Sequence, residues 1–233
     1  MNIPEKLIEL RRIMDRENIA AYIISGTDPH NSEYLPAPWQ QRKWISGFTG
    51  SYGTVVVTTN EAGLWTDTRY FIQAEKELAG SGIKLHKLRV PDAVDYPQWL
   101  VEVLESGTKV GIDGFCMSVS DVRNLKNALS PKNITIQKQI DLLGEMWFDR
   151  PALPVEKIIR LDTKYVGESA GERIGKIREF IRDNHGDAML FSCLDEIAWL
   201  YNIRCNDIAY NPVAISYAIV EKDKAHLFIK LDK

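Results

Sequence analysis

Apolar positions along the chain change period several times, and the changes lay out its elements. Leu7, Leu10, Ile13 and Met14 recur at helical spacing behind Pro4, which predicts an amphipathic helix over residues 4–16. Ala20–Ser25 is a short apolar run that predicts a first buried strand. Thr54–Thr59 is β-branched throughout, Asn60–Gly63 has turn chemistry and Leu64–Thr66 returns as the partner strand, so this stretch predicts a hairpin. Gly47, Gly50 and Gly53 make Ile45–Gly53 a shaped turn ahead of it. Tyr70, Ala74 and Leu78 then recur every four residues, predicting a helix with Asp67 or Thr68 at its N-terminus. Arg69 therefore falls at the corner where a strand ends and a helix begins.

Predicted strands at Ile83–Leu88, Lys109–Asp113 and Ile134–Gln137 alternate with predicted helices at Tyr96–Leu104 and Ser120–Leu129. Such alternation implies an α/β domain of layered sheet and helices. The segment from Gly26 to Lys43, with three prolines and mixed aromatic and basic residues, reads as a long irregular loop. Asp149–Pro154, with two prolines, breaks the alternation and sets a boundary between domains at 1–154 and 155–233.

Beyond that boundary the pattern restarts. Ser169 and Glu172 form a capping box, and Ile174, Ile177, Phe180 and Ile181 supply an apolar helix face. Shifting by 167 residues lays Leu10 on Ile177, Ile13 on Phe180, Ser25 on Ser192 and Asp28 on Asp195; shifting by 165 lays Ser51-Tyr52 on Ser216-Tyr217 and Asp67 on Asp232. The second half thus reads as another copy of the first, and the pattern implies that the chain ends inside that second domain.

Composition adds exclusions. The net charge is −3, with 26% charged and 45% hydrophobic residues and no cationic tract, an ordinary soluble composition without an electrostatic case for nucleic acid. No apolar run approaches the roughly 20 residues that span a bilayer, so no membrane partner and a cytoplasmic address are expected. Cys116, Cys193 and Cys205 are far apart and read as three buried free thiols. No two of His30, His86, His185 and His226 share a helix face, and no metal site is expected within the chain.

The glycine turn GFTGSYG lacks the lysine of a phosphate-binding loop and precedes a strand, and Ser51 lacks the strand-turn-helix setting of a nucleophile elbow. Asp195 and Glu196, adjacent on a helix, point apart and read as first-turn carboxylates rather than an acid/base pair. Asp67 and Arg69 at the strand-helix corner are either a local ion pair or a ligand contact.

The motifs SGFTGSYGT and WTDTRYFIQA, then VGID at 110–113, MWFDRP at 146–151, DEIAWLYNIR at 195–204 and NPVAISYAIV at 211–220 resemble, in order and over almost the whole chain, the N-terminal part of three-domain Xaa-Pro aminopeptidases, the aminopeptidase P family. The resemblance implies tandem creatinase N-terminal-like α/β domains, each a mixed sheet flanked by helices, the second incomplete. It also implies a following pita-bread catalytic domain whose Asp, Asp, His, Glu and Glu hold two metal ions, usually manganese. None of those ligands maps onto this chain, which is expected to bind no metal, carry no catalytic residue and be inactive alone. One substrate-binding residue does map: the arginine of WTD-x-RY is Arg69. The implied partners are short peptides with proline second and a second copy of the chain in a homodimer, with Gly26–Lys43 a contact surface. The rival readings are a prolidase or creatinase, and a non-enzymatic binding module built on a peptidase-related fold.

Overall fold

The computed structural model describes residues 1–138 and 140–233, which form two compact units: Met1–Pro29 with Pro38–Pro151, and His30–Ala37 with Ala152–Lys233. The first unit contains α1 (Ile3–Arg16), β1 (Ala21–Ile24), α2 (Gln41–Ser46), β2 (Thr54–Thr58), β3 (Ala62–Thr66), α3 (Phe71–Glu77), β4 (Lys84–Lys87), α4 (Tyr96–Val103), β5 (Lys109–Ile112), α5 (Val119–Leu129) and β6 (Thr135–Gln137). Its six strands run in the order β4-β3-β2-β1-β5-β6. Only β2 pairs antiparallel, with β1 and β3; the β3–β4, β1–β5 and β5–β6 pairs are parallel.

Strand alternation sends successive side chains to opposite faces, and each face has its own core. Tyr22, Ile24, Val55, Val57 and Leu64 face α1, whose Leu7, Leu10, Ile13 and Met14 are all buried. Ala21, Ile23, Val56 and Trp65 face the other way, against Trp99 and Leu100 of α4 and Leu125 and Leu129 of α5. A sheet covered on both faces explains why β1 is buried at every position.

The second unit contains β7 (Ile159–Arg160), α6 (Thr163–Val166), α7 (Ala170–Asp183), β8 (Ala188–Phe191), α8 (Leu194–Tyr201), β9 (Ile203–Arg204), β10 (Ser216–Glu221) and β11 (Ala225–Ile229). Strands β11-β10-β8 form an antiparallel sheet that repeats β3-β2-β1. Both α1 and α7 carry complete capping boxes, Asn2 with Glu5 and Ser169 with Glu172. The shift of 167 residues carries α1 onto α7 and β1 onto β8. The hairpin shift is corrected by register: Ile24 opposite Val55 matches Phe191 opposite Ala218, and Thr54 opposite Trp65 matches Tyr217 opposite Phe228, so hairpin residues correspond at 163, not 165. Asp67 therefore corresponds to Lys230 rather than Asp232.

Three further expectations are overturned. Gln41–Ser46 is helical, not loop or turn: α2 has no side-chain N-cap and exists because Gln41, Arg42, Ile45 and Ser46 are buried, with Gly47 in the left-handed region at φ 74° ending it. Phe180 is 56% exposed although its counterpart Ile13 is buried. Cys193 is exposed at the N-terminus of α8, while Cys116 and Cys205 are buried.

Candidate functional site

The ends of the first unit's parallel strands converge on a cluster of polar side chains. Strand β3 runs into Asp67, whose carboxylate accepts from the backbone N–H of Arg69 at 3.1 Å and caps a one-turn 3-10 helix, Thr68–Tyr70. The same carboxylate takes the Arg69 guanidinium side-on, with Nε at 3.0 Å and Nη2 at 2.9 Å. Asp67 is buried while the Arg69 side chain is 59% exposed, so a fixed anion holds a cation at the surface in one orientation. Hydrogen bonding to Arg69 holds the Asp67 carboxyl below its ordinary value against the opposing effect of burial, and the Arg69 guanidinium is correspondingly raised. The corner predicted from sequence is thus an ion pair, and its geometry still leaves the arginine facing outward.

Tyr70 and Tyr52 flank that guanidinium, 5.1 and 5.8 Å from ring centroid to Cζ. Tyr52 belongs to the glycine turn, fixed by three contacts. Thr66 Oγ1 donates to the Tyr52 carbonyl at 2.6 Å, Ser51 Oγ and Tyr70 OH share a hydrogen bond of 2.6 Å, and the Arg42 side chain reaches in from α2. Arg42 donates to the carbonyls of Gly50, of Gly53 at 3.0 Å and of Ser51 at 3.4 Å, with its guanidinium 5.3 Å from the Phe48 ring. Burial pushes its pKa down to about 10, so it stays charged at neutral pH. The backbone needs glycine here: Gly53 sits at φ 156°, and a Cβ on Gly26 would lie 2.7 Å from the Gly53 carbonyl and against the Arg42 guanidinium.

One strand further out, β4 continues into Arg89. Leu88 N–H still donates to Thr66 O at 2.9 Å, and the next residue turns into the left-handed region at φ 58°. That turn brings the Arg89 guanidinium 5.8 Å from the Tyr52 ring and 3.9 Å from Asp67. Of this cluster, sequence reasoning identified Asp67 and Arg69. It missed Arg42 and Arg89: no periodicity marks either, though both Arg69 and Arg89 stand just past the last residue of a predicted strand. Ser51 is tied to Tyr70, consistent with a structural hydroxyl. Asp195 and Glu196 lie exposed in the first turn of α8. Among the described residues no group of three or more His, Cys, Asp or Glu is placed to hold a metal ion, and no helix is long and apolar enough to cross a membrane.

Residues 6–143 and 149–233 each match a model of the creatinase/prolidase N-terminal domain. The chain is 39% identical over 236 residues to aminopeptidase P2 of Arabidopsis thaliana, covering 99% of this chain and 33% of that protein. It is 38% identical over 231 residues to a probable Xaa-Pro aminopeptidase P of Laccaria bicolor, covering 98% of this chain and 36% of that protein. The crystal structure of an X-prolyl aminopeptidase from Caenorhabditis elegans, described as a cytosolic enzyme with a di-nuclear active site, superposes on the whole chain with a TM-score of 0.94 at 36% identity, over 40% of its own length. The chain thus spans between a third and two fifths of the length of these relatives.

Proposed function

From the premise that the chain belongs to the creatinase/prolidase N-terminal domain family, we propose that it is the non-catalytic N-terminal portion of a cytoplasmic Xaa-Pro aminopeptidase, which releases the residue preceding proline from short peptides. The observation that carries this reading is the agreement, over the whole chain, of 36% identity and a TM-score of 0.94 with the X-prolyl aminopeptidase. The metal ions, manganese in our reading, would be held by a catalytic region outside these residues and supply an activated water.

This chain's own part is recognition. Arg69, clamped by Asp67 and exposed at the strand ends, presents the unspent half of a planar donor fork that suits a peptide carbonyl or carboxylate. In this reading it helps admit short peptides and exclude long ones. The chain also supports assembly of a homodimer. Within Gly26–Lys43, Asp28, His30, Gln41 and Arg42 are buried, which leaves the exposed Asn31, Glu33, Tyr34, Ala37 and Lys43 to meet a partner.

The test is hydrolysis of a short Xaa-Pro peptide with added Mn²⁺ by this chain and by the product of its complete reading frame. Activity in a longer product alone supports the proposal; activity in neither favours a binding module. In an active protein, Arg69→Ala is expected to lower kcat/KM at least about tenfold while the unit stays folded, with a lowered melting temperature because the buried Asp67 carboxylate loses its main partner. Unaltered kinetics would remove Arg69 from the site.

A further inference from the structure

We propose that Arg89 and Arg69, both beside Tyr52 and Asp67, form a two-arginine clamp for a carboxylate, and that its ligand is the C-terminal carboxylate of a short peptide. The ligand assignment rests on the function proposed above; the clamp itself rests on three features of the strand ends. The first is donor count. A guanidinium has five N–H donors, and Asp67 engages only the Nε and Nη2 edge of Arg69. The closest nitrogen of Arg89 stands 3.9 Å from Asp67, beyond hydrogen-bond reach, and among the described residues Arg89 makes no hydrogen bond. Donors of both arginines are therefore available.

The second feature is charge. Arg69 and Arg89 share one carboxylate, neighbouring Lys87 is answered by Glu75 at 2.7 Å, and Arg42 is buried against the turn carbonyls, so the solvent-facing donors carry one surplus positive charge. A single surplus charge matches a monoanion such as a carboxylate better than a phosphate dianion. The third is placement. Asp67 and Arg69 follow the carboxyl end of β3, Arg89 follows that of the parallel β4, and Tyr52 precedes the antiparallel β2, so all four lie at one end of the sheet. The Tyr52 ring centroid is 5.8 Å from each guanidinium carbon, so one aromatic ring borders both cations. Arg89 also adopts a left-handed backbone, φ 58°, that a long side chain rarely occupies. An extended backbone would aim its side chain elsewhere.

The experiment is an NMR titration of the chain, observing the side-chain Nε–H signals of Arg69 and Arg89, with Ala-Pro-Ala as free acid, its C-terminal amide, acetate and inorganic phosphate. The free acid is expected to move both signals and to bind about tenfold more tightly than the amide, the difference two charge-assisted bonds to one carboxylate provide. Arg89→Gln should abolish that difference while leaving the melting temperature unchanged, and Arg89→Lys should restore only part of it. Equal binding of acid and amide, an unresponsive Arg89, or tighter binding of phosphate than of the acid would each overturn the clamp. The two layers separate cleanly: equal responses to acid and amide at Arg69 alone leave the peptide reading standing without the clamp. Acetate acting as strongly as the tripeptide supports the clamp and withdraws its peptide assignment.

Discussion

Arg42→Ala should be among the most damaging single changes in the first unit, although the residue is an arginine in a chain of ordinary surface charge. Its guanidinium is buried, with 6% of the residue exposed, and it donates to three carbonyls of one turn, those of Gly50, Ser51 and Gly53. The Ser51 contact at 3.4 Å is weak, so two bonds carry the clamp. Hydrogen bonds from a charged donor contribute about 1.5–3 kcal/mol each, and a carbonyl left buried without a donor costs about 1–3 kcal/mol. Part of this is returned because the guanidinium no longer has to be desolvated, the effect that pushes its pKa down to about 10. The net expectation is a loss of about 3 kcal/mol, or about 10 °C in Tm at the slope usual for this size. Five of the six tryptophans lie in the first unit, so urea unfolding followed by tryptophan fluorescence reads that unit almost alone. Arg42→Met keeps the apolar stem and separates packing from hydrogen bonding; Arg42→Lys keeps the charge without the planar fork. A loss below about 1 kcal/mol for all three would show that water satisfies the turn carbonyls and that Arg42 does not hold the turn together.

Gly26→Ala should destabilise through the same contact, because its Cβ would crowd both Arg42 and the Gly53 carbonyl; its cost should therefore shrink by at least about 1 kcal/mol in an Arg42→Ala background, and strict additivity would refute the shared mechanism. Asp67 has a folded pKa below its unfolded one, so its contribution is complete above the unfolded carboxylate range near about pH 4 and is lost as pH falls through the folded value. Asp67→Asn should accordingly lower the urea midpoint at neutral pH and narrow the difference between variant and parent in acid; a gap that persists undiminished below that range would contradict it. In the second unit Asp207→Asn removes the charge that answers the buried Lys233 ammonium and leaves one oxygen to serve both that ammonium and the Ile215 N–H now bound at 2.8 Å, and should cost about 3 kcal/mol, read from the Trp199 signal in a chain with the other tryptophans replaced by phenylalanine.

The limits of what the sequence disclosed have a common cause. Periodicity reports which face of a local element is apolar, so α1, the hairpin and the capping box of α7 were legible, down to the buried set Leu7, Leu10, Ile13 and Met14. Elements formed by long-range burial were not: α2 has poor local signals and is helical because its side chains are enclosed. The register of the second hairpin failed more instructively. A shift of 165 differs from the observed 163 by two residues, one full strand period, so every side chain stayed on its correct face and the hydrophobic pattern could not expose the error. Hydrogen-bond pairing decides it, and pairing leaves no trace in a single sequence.

That correction bears on where the chemistry resides. With pairs matched at 163, Trp65 corresponds to Phe228 and Thr66 to Ile229, and counting on from the strand ends sets Lys230 against Asp67 and Asp232 against Arg69. The acid that orients and the arginine that is oriented thus have their charges exchanged in the second copy, while Tyr52 corresponds to Ile215. The duplicated scaffold does not duplicate the site. Fold and pattern recur because both copies must bury a hairpin against a helix, and the Asp67, Arg69 and Tyr52 cluster departs from that shared requirement. Residues that packing does not demand, held in one orientation by a buried carboxylate, are the ones this unit has free for a ligand.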